Sequence, residues 1–124
     1  MNTHEQFITL ETAKLAKQAG FDWKARAFYL NGEFNRANFY ENYNNCILAD
    51  CKTISAPIQS ILQRWLREVK GWEVFVEVKY RNSKEYVCRI ETSEYGCNTD
   101  FYSTFEAALE AGLKQCLTLL VDNL

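Results

Sequence analysis

The side chains that could do chemistry are few and poorly assembled. One histidine, His4, stands in a polar N-terminal stretch, which leaves any serine or cysteine without the usual imidazole base. The cysteines are Cys46, Cys51, Cys88, Cys97 and Cys116, an odd number. Cys46 and Cys51 alone have the separation that a zinc site uses, and His4 in a terminal tail is a poor further ligand. The expectation is five reduced thiols without metal, with Cys88 on the apolar face of a strand and Cys116 on that of a helix. Glu73, Glu77 and Glu91 fall on one face of a strand pair, but Arg89 falls among them, so cross-strand ion pairing accounts for them without acid–base catalysis. Gly96-Cys-Asn-Thr99 is not a phosphate loop, because no strand-to-helix turn follows it. No catalytic, metal or cofactor-binding residue is assigned, and the chain is read as a binding protein rather than an enzyme.

Two groups of residues suit recognition better. A helix over 56–70 would carry Gln59, Gln63, Arg64, Arg67 and Lys70 on its outer face. Glutamine and arginine are side chains that read bases, so that face is a candidate nucleic-acid surface. The competing reading is a solvated helix face, which the acidic balance of the chain favours. The second group is the aromatic and amide-rich stretch from Phe28 to Tyr43, with Phe39, Tyr40 and Tyr43 lacking an assigned place in the core. Rigid aromatics mixed with amides are what recognition surfaces use. Phe75 and Val87 join this candidate interaction surface, because they fall among the polar positions of a hairpin. A homodimer or another protein partner is expected to cover one of these patches.

The elements that must position these groups follow from periodicity. Ile58, Ile61, Leu62, Trp65, Leu66 and Val69 recur at helical spacing, with Ser55 as cap, Pro57 in the first turn and Gly71 as the stop. Trp65, mid-stripe, is expected at the centre of the core. Residues 9–20 form a helix with Thr9 as cap, Gly20 as stop and Phe21 folding back; its apolar side is made mostly of alanine, which predicts a peripheral helix. Asn31-Gly32 predicts a type I′ hairpin between strands at 26–30 and 33–37. Cys46-Ile-Leu48 could form a short strand. A second hairpin runs from Trp72 to Thr92. Its apolar positions are even-numbered on both strands, so the numbers of each opposed pair must add to an even sum. A three-residue turn, Asn82-Ser83-Lys84, then sets Tyr80 opposite Tyr86, Val78 opposite Cys88, Val76 opposite Ile90 and Glu77 opposite Arg89. Ser93 to Phe101 reads as a loop, with a short strand at Phe101-Tyr102 as the alternative for its end. Ser103 and Glu106 form a capping box for a last helix over 104–121, where Gly112 predicts close approach to another backbone. The fold expected is α+β: an antiparallel sheet of four to five strands with one face packed by two long helices, plus a peripheral N-terminal helix.

The 124 residues suit one domain, and 48% hydrophobic content is enough for a real core. The net charge of −2 argues against a generic phosphate-binding surface. No apolar run reaches the roughly 18–20 residues needed to cross a bilayer, and the N-terminus lacks a signal-peptide pattern, so a cytoplasmic location is expected.

Three stretches carry a resemblance. They are Leu10-Glu-Thr-Ala-Lys-Leu-Ala-Lys17 followed by Gly20-Phe-Asp-Trp23, Ala56-Pro-Ile-Gln-Ser-Ile-Leu-Gln-Arg-Trp-Leu-Arg-Glu68, and Phe105-Glu-Ala-Ala-Leu-Glu-Ala-Gly-Leu113. In these the chain resembles a family of small uncharacterised proteins of gut Bacteroidales, their prophages and mobile elements. The resemblance implies a bacterial or phage origin and carries over no activity and no functional residue. The function expected is a non-enzymatic interaction protein acting through exposed aromatic surface. Nucleic-acid binding through the Gln/Arg helix face is the alternative, and a small-ligand-binding protein or enzyme ranks last.

Overall fold

The structure is a computed structural model that describes residues 6–44, 52–82, 84–94 and 96–124. The elements in order are α1 (Leu10–Gln18), β1 (Ala25–Leu30), β2 (Glu33–Glu41), β3 (Thr53–Ser55), α2 (Gln59–Trp65, continuing as a π-helical turn over Leu66–Lys70), β4 (Glu73–Val78), β5 (Tyr86–Glu91), β6 (Gly96–Tyr102) and α3 (Phe105–Asp122). The strands form two three-stranded antiparallel sheets, ordered β2-β1-β3 and β4-β5-β6, where one sheet of four to five strands was expected, and only α3 is long where two long helices were expected. Each hairpin recruits its own third strand: β3 pairs with the open side of β1 and β6 with the open side of β5. Neither hairpin then has its inner edge left to join the other. The proposed strand at Cys46-Ile-Leu48 lies outside the described residues.

Local chemistry explains most element ends. Asn31 and Gly32 take φ of +51° and +88°, as the type I′ turn between β1 and β2 requires. After α1, Phe21 N donates to Ala16 O at 2.9 Å and Gly20 N to Lys17 O at 3.1 Å, the double bond of a Schellman end. Ser55 does not cap α2. Residues 56–58 are extended, with Phe7 and Ile58 bridged and Ile8 N donating to Pro57 O at 3.1 Å; Gln59 N, which begins the helix, donates to Gln6 O at 2.8 Å. A neighbouring main chain thus does the work of a side-chain cap. The π-turn then rotates Val69 out of the stripe, leaving it 52% exposed, and Gly71 closes the helix at φ +73°. Thr104, one residue beyond Ser103, caps α3 by accepting from Ala107 N at 3.1 Å.

The core lies between the helices and the β4-β5-β6 sheet. Trp65, Phe21, Leu62, Leu66, Ile90, Leu113 and Leu117 are fully buried, and Phe21 meets Trp65 edge-to-face at 5.4 Å. Helix α1 is not peripheral. Ala13, Ala16 and Ala19 are buried in the same core, and their small side chains let α1 pack closely on α3. Two exposed groups reinforce that seam, Glu11 and Lys114, which form an ion pair. Glu110 ties three elements together: Oε2 accepts from Thr9 N and Oγ1, both at 3.0 Å, and Oε1 accepts from Gln59 Nε2 at 3.0 Å.

Gly112 shows how tightly α3 sits on the second sheet. A Cβ there would lie 2.1 Å from Cys88 Sγ and 2.7 Å from Cys88 Cβ. The close approach at this glycine is therefore to the Cys88 side chain on β5, where approach to another backbone was expected.

The register of the second hairpin keeps the even sum but is displaced by two residues. Val74 opposes Ile90, Val76 opposes Cys88 and Val78 opposes Tyr86. Lys79 N donates to Glu85 O at 2.9 Å, so the turn between them is longer than three residues. Arg89 consequently faces Phe75, and Glu77 faces Val87. The cross-strand pair expected between Glu77 and Arg89 gives way to an ion pair of Arg89 with Glu91, two residues along its own strand. Among the described residues no helix is long and apolar enough to cross a membrane.

Candidate functional site

The site begins with a break in the first sheet. Ala27 pairs with Arg36 and Ala25 with Glu41, so the four residues Ala37–Tyr40 of β2 face the single residue Arg26 of β1. So large a bulge cannot keep alternate side chains turned inward. Phe39 is left 72% exposed and Tyr40 49%. The bulge is held at its base, where Tyr43 Oη donates to Phe39 O at 2.7 Å and the Tyr43 ring stacks on Phe28 at 4.7 Å. Burial raises the Tyr43 phenol above its ordinary pKa. Tyr43, expected on the interaction surface, is thus a half-buried support for it.

The amides around it are also structural. Asn44 Oδ1 accepts from Ser55 N at 2.8 Å and its Nδ2 donates to Phe21 O at 2.9 Å, while Tyr43 N donates to Ser55 Oγ at 2.8 Å. These bonds fix the segment after β2 against β3.

Beside the bulge lies a cleft of about 410 Å³. Phe7, Pro57, Ile58 and Ile61 give it apolar surface, Ala25 and Tyr40 complete the wall, and Lys24 and Arg26 are its charged groups. The bridge between Phe7 and Ile58 sets those two side chains on one side of their extended pair. The Arg26 guanidinium lies 5.4 Å from the centre of the Tyr40 ring, and Arg36 lies 5.1 Å from that of Phe7. Phe7 in turn meets Phe34 edge-to-face at 5.2 Å, and Phe34 meets Tyr29 at 5.5 Å. The result is an apolar concavity rimmed by positive charge and aromatic rings, which can hold an apolar group bearing a carboxylate or phosphate.

The other expected site residues are dispersed or occupied. Val87 is only 8% exposed, because it lies on the central strand between its neighbours, and Phe75 beside it is half-buried. Both belong to the other sheet from Phe39 and Tyr40, so the five residues do not form one surface. On the proposed nucleic-acid face, Gln59 is 4% exposed and its Nε2 donates to Glu106 O at 2.9 Å and to Glu110. Gln63 Nε2 donates to Val74 O at 2.6 Å. Arg64 is ion-paired with Glu68, which raises its pKa, Arg67 Nε lies 4.0 Å from Glu73 Oε1, and the Lys70 ammonium lies 5.4 Å from the Trp65 ring centre. Extended pairing of 6–8 with 57–59 shifts the helix start and turns Gln59 inward, which periodicity alone could not indicate.

Cys88, Cys97 and Cys116 are free thiols, and burial pushes Cys88 and Cys116 up to about 12. The pair Cys46 and Cys51 lies outside the described residues. Among the described residues no three His, Cys, Asp or Glu side chains are grouped as a metal ion needs. Lys24, Arg26 and Phe7 were missed at the level of sequence. The one local signal is the Lys24-Ala-Arg26 alternation leading into the aromatic hairpin, and the apolar half of the cleft arrives only when residues 6–8 pair with 57–59.

Compared with protein-family models, curated proteins and solved structures, the chain matches none.

Proposed function

We propose that this chain is a non-enzymatic binding protein that engages a protein partner through the Ala37–Tyr40 bulge and the cleft beside it. The observation that carries the reading is the exposure of Phe39 and Tyr40 on a bulge that a hydrogen bond from Tyr43, itself stacked on Phe28, holds in place. Large aromatics of this kind bring about 1.5–3 kcal/mol each when a partner buries them, and they are the residues that dominate binding at interfaces. Their fixed support limits the ordering cost of association. The nucleic-acid reading of the α2 face is the weaker one, since Gln59 and Gln63 already donate to main-chain carbonyls and Arg64 and Arg67 have carboxylate neighbours.

The test is affinity capture from native-host extract on immobilised wild type and on Phe39→Ala/Tyr40→Ala, with recovered proteins identified by mass spectrometry. The reading expects a protein that the wild type retains and the double variant loses at unchanged thermal stability. Recovery of the same proteins by both would overturn it.

A further inference from the structure

Resting on that reading, we propose that the cleft takes a short acidic peptide segment, with a carboxylate on Arg26 and Lys24 and a neighbouring apolar side chain against Phe7 and Ile58. The chain has more acidic than basic residues, 16 against 14, yet among the described residues no carboxylate lines this cleft. Five of the fourteen lysines and arginines are ion-paired among the described residues: Arg64 with Glu68, Arg67 with Glu73, Lys79 with Glu85, Arg89 with Glu91 and Lys114 with Glu11. Lys24, Arg26 and Arg36 have no ion pair among the described residues, and the guanidiniums of the two arginines lie over the rings of Tyr40 and Phe7. A guanidinium over a ring can still offer N–H groups to the two oxygens of a carboxylate. Apolar surface directly below such a pair selects for an acidic residue next to an apolar one.

A peptide fits better than a nucleic acid strand for two reasons. β2 is an edge strand of its sheet, and its outer main-chain groups can pair with another extended chain, as strand addition requires. Glu33 and Glu41 close its two ends, so a run of phosphates along β2 would meet negative charge that one or two carboxylates avoid.

The test uses the full chain as bait for a phage-displayed library of random peptides. The proposal expects enrichment of Asp or Glu adjacent to a large apolar residue. It further expects the enriched peptide, fluorescently labelled, to bind tenfold or more weakly to Arg26→Gln and more weakly as salt is raised, while Arg81→Gln in a distant turn binds like wild type. Enriched peptides without acidic residues, or equal affinity for Arg26→Gln, would overturn it. Failure of the selection on a chain that still captures a protein in a Phe39- and Tyr40-dependent way would also overturn it and leave the broader reading standing. If a labelled twelve-residue oligothymidylate bound more tightly than any peptide and lost affinity in Arg26→Gln, the ligand would be a nucleic acid and the peptide proposal would fail.

Discussion

The two sheets contain the same kind of irregularity at very different size. In β4-β5-β6 the register shifts at Cys88, which faces the two residues Thr99 and Asp100. Thr99 Oγ1 accepts from Cys88 N at 3.0 Å, so a side chain replaces the displaced main-chain acceptor. That sheet is covered by α3, with no room even for a methyl group at Gly112. In β2-β1-β3, four residues stand against one, the chain swings outward, and two large aromatics stay in solvent beside a cationic cleft. The lesson is that a minimal, internally compensated bulge serves packing, whereas a large one that holds apolar surface in water marks a face with a use. On the proposed reading the second sheet and the helices are the scaffold and the first sheet carries the surface, although Val78 and Phe101 of the second sheet are also about half exposed.

That division can be broken by substitution. Trp65→Ala, in the core shared by the helices and the second sheet, should cost about 3–5 kcal/mol, most of the stability of a domain this size. Chemical denaturation with an unchanged midpoint would mean that the core lies elsewhere. Gly112→Ala forces a Cβ onto Cys88 and should cost about 1–3 kcal/mol through overpacking. Cys88→Ala should recover part of that loss, and strictly additive effects of the two would contradict the close approach.

A pH series gives a subtler contrast. Cys88 and Cys116 are raised to about 12 from a usual 9.0. The unfolded chain therefore loses these protons first, and their contribution to stability is intact below about pH 9 and declines as pH rises towards 12. Cys88→Ala should show a shallower decline than wild type over that window in thermal melts; parallel curves would mean that the thiol is not desolvated. On the first sheet, Phe39→Ala should change stability by no more than about 0.5 kcal/mol, because its side chain contributes little to the core. A larger loss would assign Phe39 to packing and remove the difference between the sheets.

Much of the scaffold is legible in the sequence, where local chemistry decides the outcome. Asn31-Gly32, Gly20-Phe21 and Gly71 announce their turns because positive φ favours few residues. The stripe centred on Trp65 and the even-sum register come from period alone. What fails is whatever depends on distant chain. β6 runs Gly-Cys-Asn-Thr-Asp and has no strand-like composition, and β3 has three residues, so two sheets read as one. The alanines of α1 look like weak burial until α3 is placed against them. Glu110 could not be identified as the acceptor for Thr9 and Gln59, which is why Gln59 was assigned to the surface. At the candidate site, Phe39 and Tyr40 were identifiable as unplaced aromatics, but the cleft needs Phe7, Arg26 and Ile58 from three separate segments.

The most direct test is hydrogen–deuterium exchange on the full chain with and without the acidic peptide enriched by selection. The account predicts slowed exchange at 24–27 and at Ala37–Glu41, with β4, β5 and β6 unchanged. Protection confined to β4-β5-β6 around Phe75 and Phe101, with the Ala37–Tyr40 bulge unaffected, would contradict it.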